Sequence, residues 1–173
     1  MKKILTALFV MLGMAVTAQA QRAELQIGYG GYTQMDATNM CNGGNQNTAW
    51  GAVTAGVNFD VTSKFHLGAS YTFSSSSYKD THGTNLYYHV IMLNGRYDYW
   101  RNSIVKLYAH VGLGCDITHI AVGNYKENKG YFAYQFSPLG AEAAIANKVA
   151  LFGELGFGAQ GLLQVGFLSL IHI

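Results

Sequence analysis

The sequence predicts an all-β chain, an eight-stranded antiparallel up-and-down transmembrane β-barrel. Three observations predict it. Apolar residues alternate with small or polar ones, with a period of two, through eight blocks. The links between blocks alternate between tight turns and longer polar loops, which with an even strand count is the plan of a membrane barrel. The composition is 50% hydrophobic but 12% charged, where a soluble domain carries roughly 25%, and it holds 21 Gly with a single Pro, Pro138.

A chain of 173 residues suits one domain. Low charge with many Gly and 12 Tyr argues against disorder and against a coiled coil. Lys2 and Lys3 precede an uncharged apolar run from Ile4 to Val16. Ala18-Gln19-Ala20 then fits the small-x-small cleavage rule. Residues 1–20 are therefore expected to be a secretory signal peptide, too short for a spanning helix, with the mature barrel over 21–167. No Cys follows the cleavage site, so no lipid-modified N-terminus is expected. Setting aside Lys2 and Lys3 leaves nine basic residues against nine acidic ones. Such a neutral chain with no basic stripe excludes a nucleic-acid partner.

The strands follow in order. The first, about Glu24 to Thr33, sets Leu25, Ile27 and Tyr29 against Gln26, Gly28 and Gly30. The second, about Trp50 to Val61, sets Val53, Ala55, Val57 and Phe59 against Thr54, Gly56, Asn58 and Asp60. The third, about Phe65 to Ser75, sets Leu67, Ala69, Tyr71 and Phe73 against His66, Gly68, Ser70, Thr72 and Ser74. The fourth, about Leu86 to Trp100, sets Ile91, Leu93, Tyr97 and Tyr99 against Met92, Asn94, Arg96 and Asp98. The fifth, about Val105 to His119, sets Leu107, Val111 and Leu113 against Lys106, Tyr108, His110 and Asp116. The sixth runs from about Tyr131 to Ala146 and the seventh from about Val149 to Gly158. The eighth starts near Leu162. Tight turns are predicted at Thr62-Ser63-Lys64, Arg101-Asn102-Ser103 and Asn147-Lys148. The links at Gln34–Thr48, Tyr78–Asn85 and Ala121–Gly130 are longer. The first of these, with Asn39, Asn42, Gly43, Gly44, Asn45 and Asn47, is predicted to be a flexible polar loop with no fold of its own.

Alternation alone leaves the direction of the faces open. The polar face is rich in Gly, Ser, Thr and Asn, which fit a narrow lumen, whereas a solvated exterior carries more charge. Aromatic residues also sort to the ends of the apolar face. Phe59, Phe65, Tyr97, Tyr99 and Trp100 lie at one rim; Trp50, Phe73, Tyr87, Phe132 and Phe157 lie at the other. Two such girdles mark the two membrane interfaces. In the sixth strand the apolar parity of Phe132, Tyr134 and Phe136 switches to that of Leu139, Ala141, Ala143 and Ile145. A β-bulge is therefore predicted at Ser137 or Pro138.

Four ionisable residues have lumen parity near the tight-turn end: Arg96, Lys106, Glu142 and Glu154. Buried charges need partners. The structural expectation is a salt-bridge cluster of these four that plugs the lumen, and the functional alternative is a selectivity ring or proton path. No metal is expected, because the six His show no ligand spacing, and no phosphate or dinucleotide loop is present. Cys115 faces outward, away from Cys41 in the first loop, so no disulfide is expected.

Ser137-Pro138-Leu139-Gly140-x-Glu142 followed by Phe152-Gly153-Glu154-Leu155-Gly156-Phe157-Gly158 resembles the penultimate hairpin of the small outer-membrane β-barrel family, the OmpA transmembrane domain and OmpX-like group. The resemblance covers the whole mature chain. It implies residence in the Gram-negative outer membrane, both termini periplasmic, with outer-membrane lipids, lipopolysaccharide and the barrel-assembly machinery as partners. It also implies a structural or surface-interaction role through the extracellular loops, with an extracellular ligand or host surface as possible partner, no cofactor and no enzymatic activity. Three alternatives stand beside it: a narrow small-solute channel, a soluble exported lipocalin-like ligand binder, and a lipid-modifying enzyme using His89 or the Ser74–Ser77 run, for which no triad is evident. Family chains end on an aromatic, often Phe. This chain ends Leu168-Ser169-Leu170-Ile171-His172-Ile173, which looks like a translated sequencing adapter and puts Leu168 and Leu170 on the lumen parity. Residues 168–173 are therefore expected to be a non-native tail.

Overall fold

Alternating sequence closes into a cylinder. The computed structural model describes residues 22–41, 43, 46–79, 84–122 and 125–172. The expected signal peptide, and Asn42, Gly44 and Asn45 of the first loop, lie outside the described residues. The strands are β1 (Arg22–Gly31), β2 (Ala52–Asp60), β3 (Phe65–Ser77), β4 (Thr84–Arg101), β5 (Val105–Val122), β6 (Tyr125–Ala146), β7 (Val149–Gly158) and β8 (Leu163–His172), with one helix, α1 (Gln34–Cys41). Each strand pairs antiparallel with its sequence neighbour, and β8 pairs with β1 to close an eight-stranded barrel. Closure pairs every strand on both sides along the barrel wall, as a sheet in lipid requires.

The faces are those expected from the parity. Ile27, Ile91, Leu113 and Phe167 are 55–63% exposed, while Thr54, Thr72, Ser74 and Gln164 on the opposite face are 0% exposed. This is a polar interior inside an apolar exterior, the reverse of a soluble binding barrel. Aromatic pairs mark the long-loop rim: Phe73 with Tyr87 at 6.4 Å, Tyr29 with Trp50 at 5.9 Å and Tyr134 with Phe157 at 5.8 Å between ring centroids. Phe65 lies beside Tyr97 at the tight-turn rim.

The predicted bulge is present. Phe136 pairs with Phe157 and Leu139 with Leu155, so β6 carries an extra residue at Ser137-Pro138, and the pairing with β5 slips at the same place. Proline has no N–H to donate, so it sits where the ladder is already interrupted. Two further bulges, at Tyr99 in β4 and Ile145 in β6, were not foreseen.

Two expectations are corrected at the long-loop end. The segment Ala121–Gly130 is not a loop, because the β5–β6 ladder continues to Val122 opposite Tyr125. Beyond the membrane both faces meet water, so these strands need no hydrophobic alternation. Polar contacts support them instead, His119 with Asn128 across the strands and Lys129 with Glu127 along β6. The first long link is not structureless either, since it contains α1. Asp36 Oδ2 accepts from the N–H (2.9 Å) and Oγ1 (3.0 Å) of Thr33, and Asp36 Oδ1 from the N–H of Ala49 (2.7 Å). That is a capping arrangement that also ties the two ends of the link together.

At the other terminus, β8 runs through Leu168 and Ser169 with unbroken alternation. Leu168 is buried in the lumen against Ala150 and Phe152.

Candidate functional site

The lumen is layered, and each layer follows from which inward residues the register stacks together. Nearest the tight turns lies a charged layer. Arg96 of β4 is buried and reaches three carboxylates on three strands: Asp98 Oδ1 of β4 at 3.0 Å, Glu24 Oε2 of β1 at 3.5 Å and Glu142 Oε2 of β6 at 2.5 Å. Lys106 Nζ donates to Glu142 Oε1 at 2.8 Å and lies 3.7 Å from Glu24 Oε1. Arg101 holds the second oxygen of Asp98 at 2.8 Å, and His66 sits between Asp60 (2.7 Å) and Asp98 (3.4 Å).

One step deeper is a second, separate cluster. Glu154 accepts from Tyr108 Oη and lies against His110 Nδ1, each at 2.9 Å. The Tyr108 ring links the two clusters, because the Arg96 guanidinium lies over its face 3.8 Å from the centroid. The back of that ring rests on Gly140, where an added Cβ would stand 2.4–2.7 Å from ring carbons. The glycine of the Ser137-Pro138-Leu139-Gly140 stretch therefore exists to seat an aromatic ring. Gly140→Val is expected to displace Tyr108 and cost about 1–3 kcal/mol. Urea unfolding followed by tryptophan fluorescence checks this, and unchanged stability would contradict the seating role.

Above this the lumen carries amides and hydroxyls. Gln135, Ser137, Gln160 and Ser70 form a linked set with bonds of 3.0 Å, while Asn94 Oδ1 and both side-chain polar atoms of Gln164 have no partner among the described residues. The short β7–β8 link dips inward to supply Gln160. Gly30 permits this, since a Cβ there would meet the Gln160 carbonyl oxygen at 1.8 Å.

At the long-loop end α1 leans across the mouth. Met35 packs on Leu86, Tyr88, Val90 and Met92 to form an apolar plug. Gln34 is pinned to β6 through the Phe132 carbonyl and the Tyr134 N–H. Outside the plug a cavity of about 500 Å³ remains between α1 and strands β4–β6, with Asp116 and Thr118 in its wall.

Of the four predicted lumen charges, the structure brings Arg96, Lys106 and Glu142 together. It sets Glu154 apart with Tyr108 and His110. The registers do not place all four at one height, because the β4–β5 hairpin turns between Arg101 and Val105 rather than about Arg101: Arg96 stands opposite His110 and Lys106 opposite Arg101, while Glu154 pairs with Gly140 and Glu142 with Phe152. Glu24, Asp60, His66, Asp98 and His110 complete the clusters. Their inward parity was legible, but not their partnership across the lumen. Glu24, Asp60 and His66 present ligand atoms within 4.8 Å of one another. They do not make a free metal site, because both oxygens of Glu24 already face Arg96 and Lys106. Cys41 and Cys115 are unbridged. His89 Nδ1 is bonded to Tyr71 Oη at 2.6 Å, and Ser74 and Ser76 donate to backbone carbonyls of Gly51 and Asn47.

A model of the family described as outer membrane protein beta-barrel domain matches residues 4–159. No curated protein matches the sequence. Among solved structures, the N-terminal β-barrel domain of Pseudomonas aeruginosa OprF matches with a TM-score of 0.50 at 10% identity, covering 88% of this chain and 98% of that one. Neisserial surface protein A matches with a TM-score of 0.52 at 13% identity, covering 88% of this chain and 95% of that one. At these identities the likeness is one of fold.

Proposed function

This chain belongs to the outer-membrane β-barrel domain family, and on that footing we propose that it is an integral barrel of the Gram-negative outer membrane whose lumen is closed to solutes. Export by the N-terminal signal peptide is part of this reading, with the tight turns and both termini on the periplasmic side. Its role is structural, or is surface interaction through the extracellular end, with no enzymatic activity. Lipids and lipopolysaccharide contact the apolar belt and its aromatic rims, and the barrel-assembly machinery inserts the chain. The natural sequence is taken to diverge after Phe167.

One observation carries the closed lumen. Arg96 spans the bore to carboxylates on β1, β4 and β6, so a solute must part three ion pairs to pass. Purified barrel in a planar bilayer is expected to show no steady single-channel steps. Regular conductance of the unaltered protein would instead establish the narrow-channel reading, which Asn94 Oδ1 and the Gln164 amide, unpartnered among the described residues, favour, since such groups call for water in the bore.

A further inference from the structure

The cavity at the extracellular mouth is a dead end, and its chemistry is specific. Met35 and Leu86 of the apolar plug line its inner side, so a molecule entering it meets the plug. Its volume of about 500 Å³ falls in the range of small-molecule sites, roughly 300–1,000 Å³. In its wall Asp116 is 5% exposed. Asp116 Oδ2 accepts from Thr118 Oγ1 at 3.2 Å, but Oδ1 has no hydrogen-bond partner among the described residues. A buried carboxylate oxygen left unpaired is costly unless a donor or a cation arrives.

Neighbouring groups do not meet that demand. The Tyr88 hydroxyl is turned away and donates to Gln46 Oε1 at 3.0 Å. Lys129, which also lines the cavity, lies 3.6 Å from Glu127. The wall mixes the rings of Tyr88 and Tyr131 with the side chains of Met35, Leu86, Gln34 and Gln46, and ring faces attract cations. A divalent metal ion needs six or more oxygens and is not matched by one free carboxylate oxygen.

We propose that this mouth cavity is a binding site for a small organic cation, an amine carrying an aromatic or aliphatic body, with the ammonium at the Asp116 carboxylate and the body between Tyr88, Tyr131 and Met35. The assignment does not depend on whether the lumen conducts.

The test titrates the intact barrel in lipid nanodiscs with phenethylamine, its neutral isostere phenethyl alcohol, the anion 3-phenylpropionate and calcium chloride, following backbone amide shifts. Phenethylamine is expected to give saturable shifts confined to the segments around Met35, Asp116 and Tyr131. Phenethyl alcohol is expected to bind about ten- to a hundredfold more weakly, and Asp116→Asn to weaken phenethylamine by the same factor. Met35→Trp fills the cavity from the helix side without touching the carboxylate, and is expected to abolish binding. It decides the matter should Asp116→Asn lose the heat-modifiable gel mobility of a folded barrel. Equal affinity for the amine and the alcohol, the same shifts from calcium or 3-phenylpropionate, or phenethylamine binding unaltered in Met35→Trp would each overturn the assignment.

Discussion

Glu142→Ala is expected to destabilise the barrel by about 3–5 kcal/mol, because it strands a buried guanidinium. Glu142 is the carboxylate that both Arg96 and Lys106 contact most closely, at 2.5 and 2.8 Å. Without it Arg96 keeps Asp98 and the more distant Glu24, and two cations face each other across a narrow bore. Replacing the pair together, Glu142→Ala with Arg96→Met, is expected to recover most of the loss, since an apolar filling leaves no charge unpaired. Urea unfolding in lipid vesicles, read by Trp50 and Trp100 fluorescence, measures both. The single variant is also expected to show conductance steps in a planar bilayer that the unaltered protein lacks. A single variant within about 1 kcal/mol of the parent and equally silent would mean the cluster neither supports nor closes the lumen.

Leu113→Arg is expected to cost about 2–4 kcal/mol, the penalty for a cation at the bilayer midplane of a barrel. Leu113 is 55% exposed on the apolar face. Trp100 pairs with Leu107 and Tyr87 with His119, so Leu113 lies midway between the two aromatic rims. Ile104→Arg is the internal control. Ile104 is as exposed but sits in the tight turn between β4 and β5, where the same charge reaches headgroups and should cost about 0–1 kcal/mol. Unfolding in vesicles resolves the difference. Equal losses at the two positions would refute the placement of the membrane between the rims.

How far the sequence revealed this molecule depended on where the chain meets lipid. Within the belt, every side chain faces either acyl tails or lumen, so parity alone placed Leu25, Ile27, Leu93, Leu107 and Val111 outside and Asn58, Thr72, Asn94 and Gln135 inside. The bulge at Ser137-Pro138 was legible because it reverses that parity beside a proline. The bulge at Tyr99 has only two successive outward aromatics, Tyr99 and Trp100, as its trace. The charged layer was half legible. Direction follows from parity, but the meeting of Glu24 with Arg96 depends on strands β1 and β4 facing each other across the bore, which no local pattern encodes. Above the belt the two-residue period has no cause to persist, and the β5–β6 extension read as loop. The helix α1 had one usable signal, the Thr33-x-x-Asp36 cap. Apart from Met35 and Met40 the helix offers little apolar surface, and it is held by tertiary contacts such as that of Gln34 with β6.

The prolonged β5–β6 hairpin also changes what an approaching molecule meets. The ladder carries three residue pairs past the rim at Tyr87 and His119, roughly 10 Å of strand, while β7, β8, β1 and β2 end much lower. The long-loop edge is thus cut obliquely, with a raised parapet on one side and a low sill on the other. A visitor settling against the parapet encounters a surface already immobilised by its own backbone bonds, so little chain freedom is lost on contact. Access to the mouth is correspondingly one-sided, from above the sill.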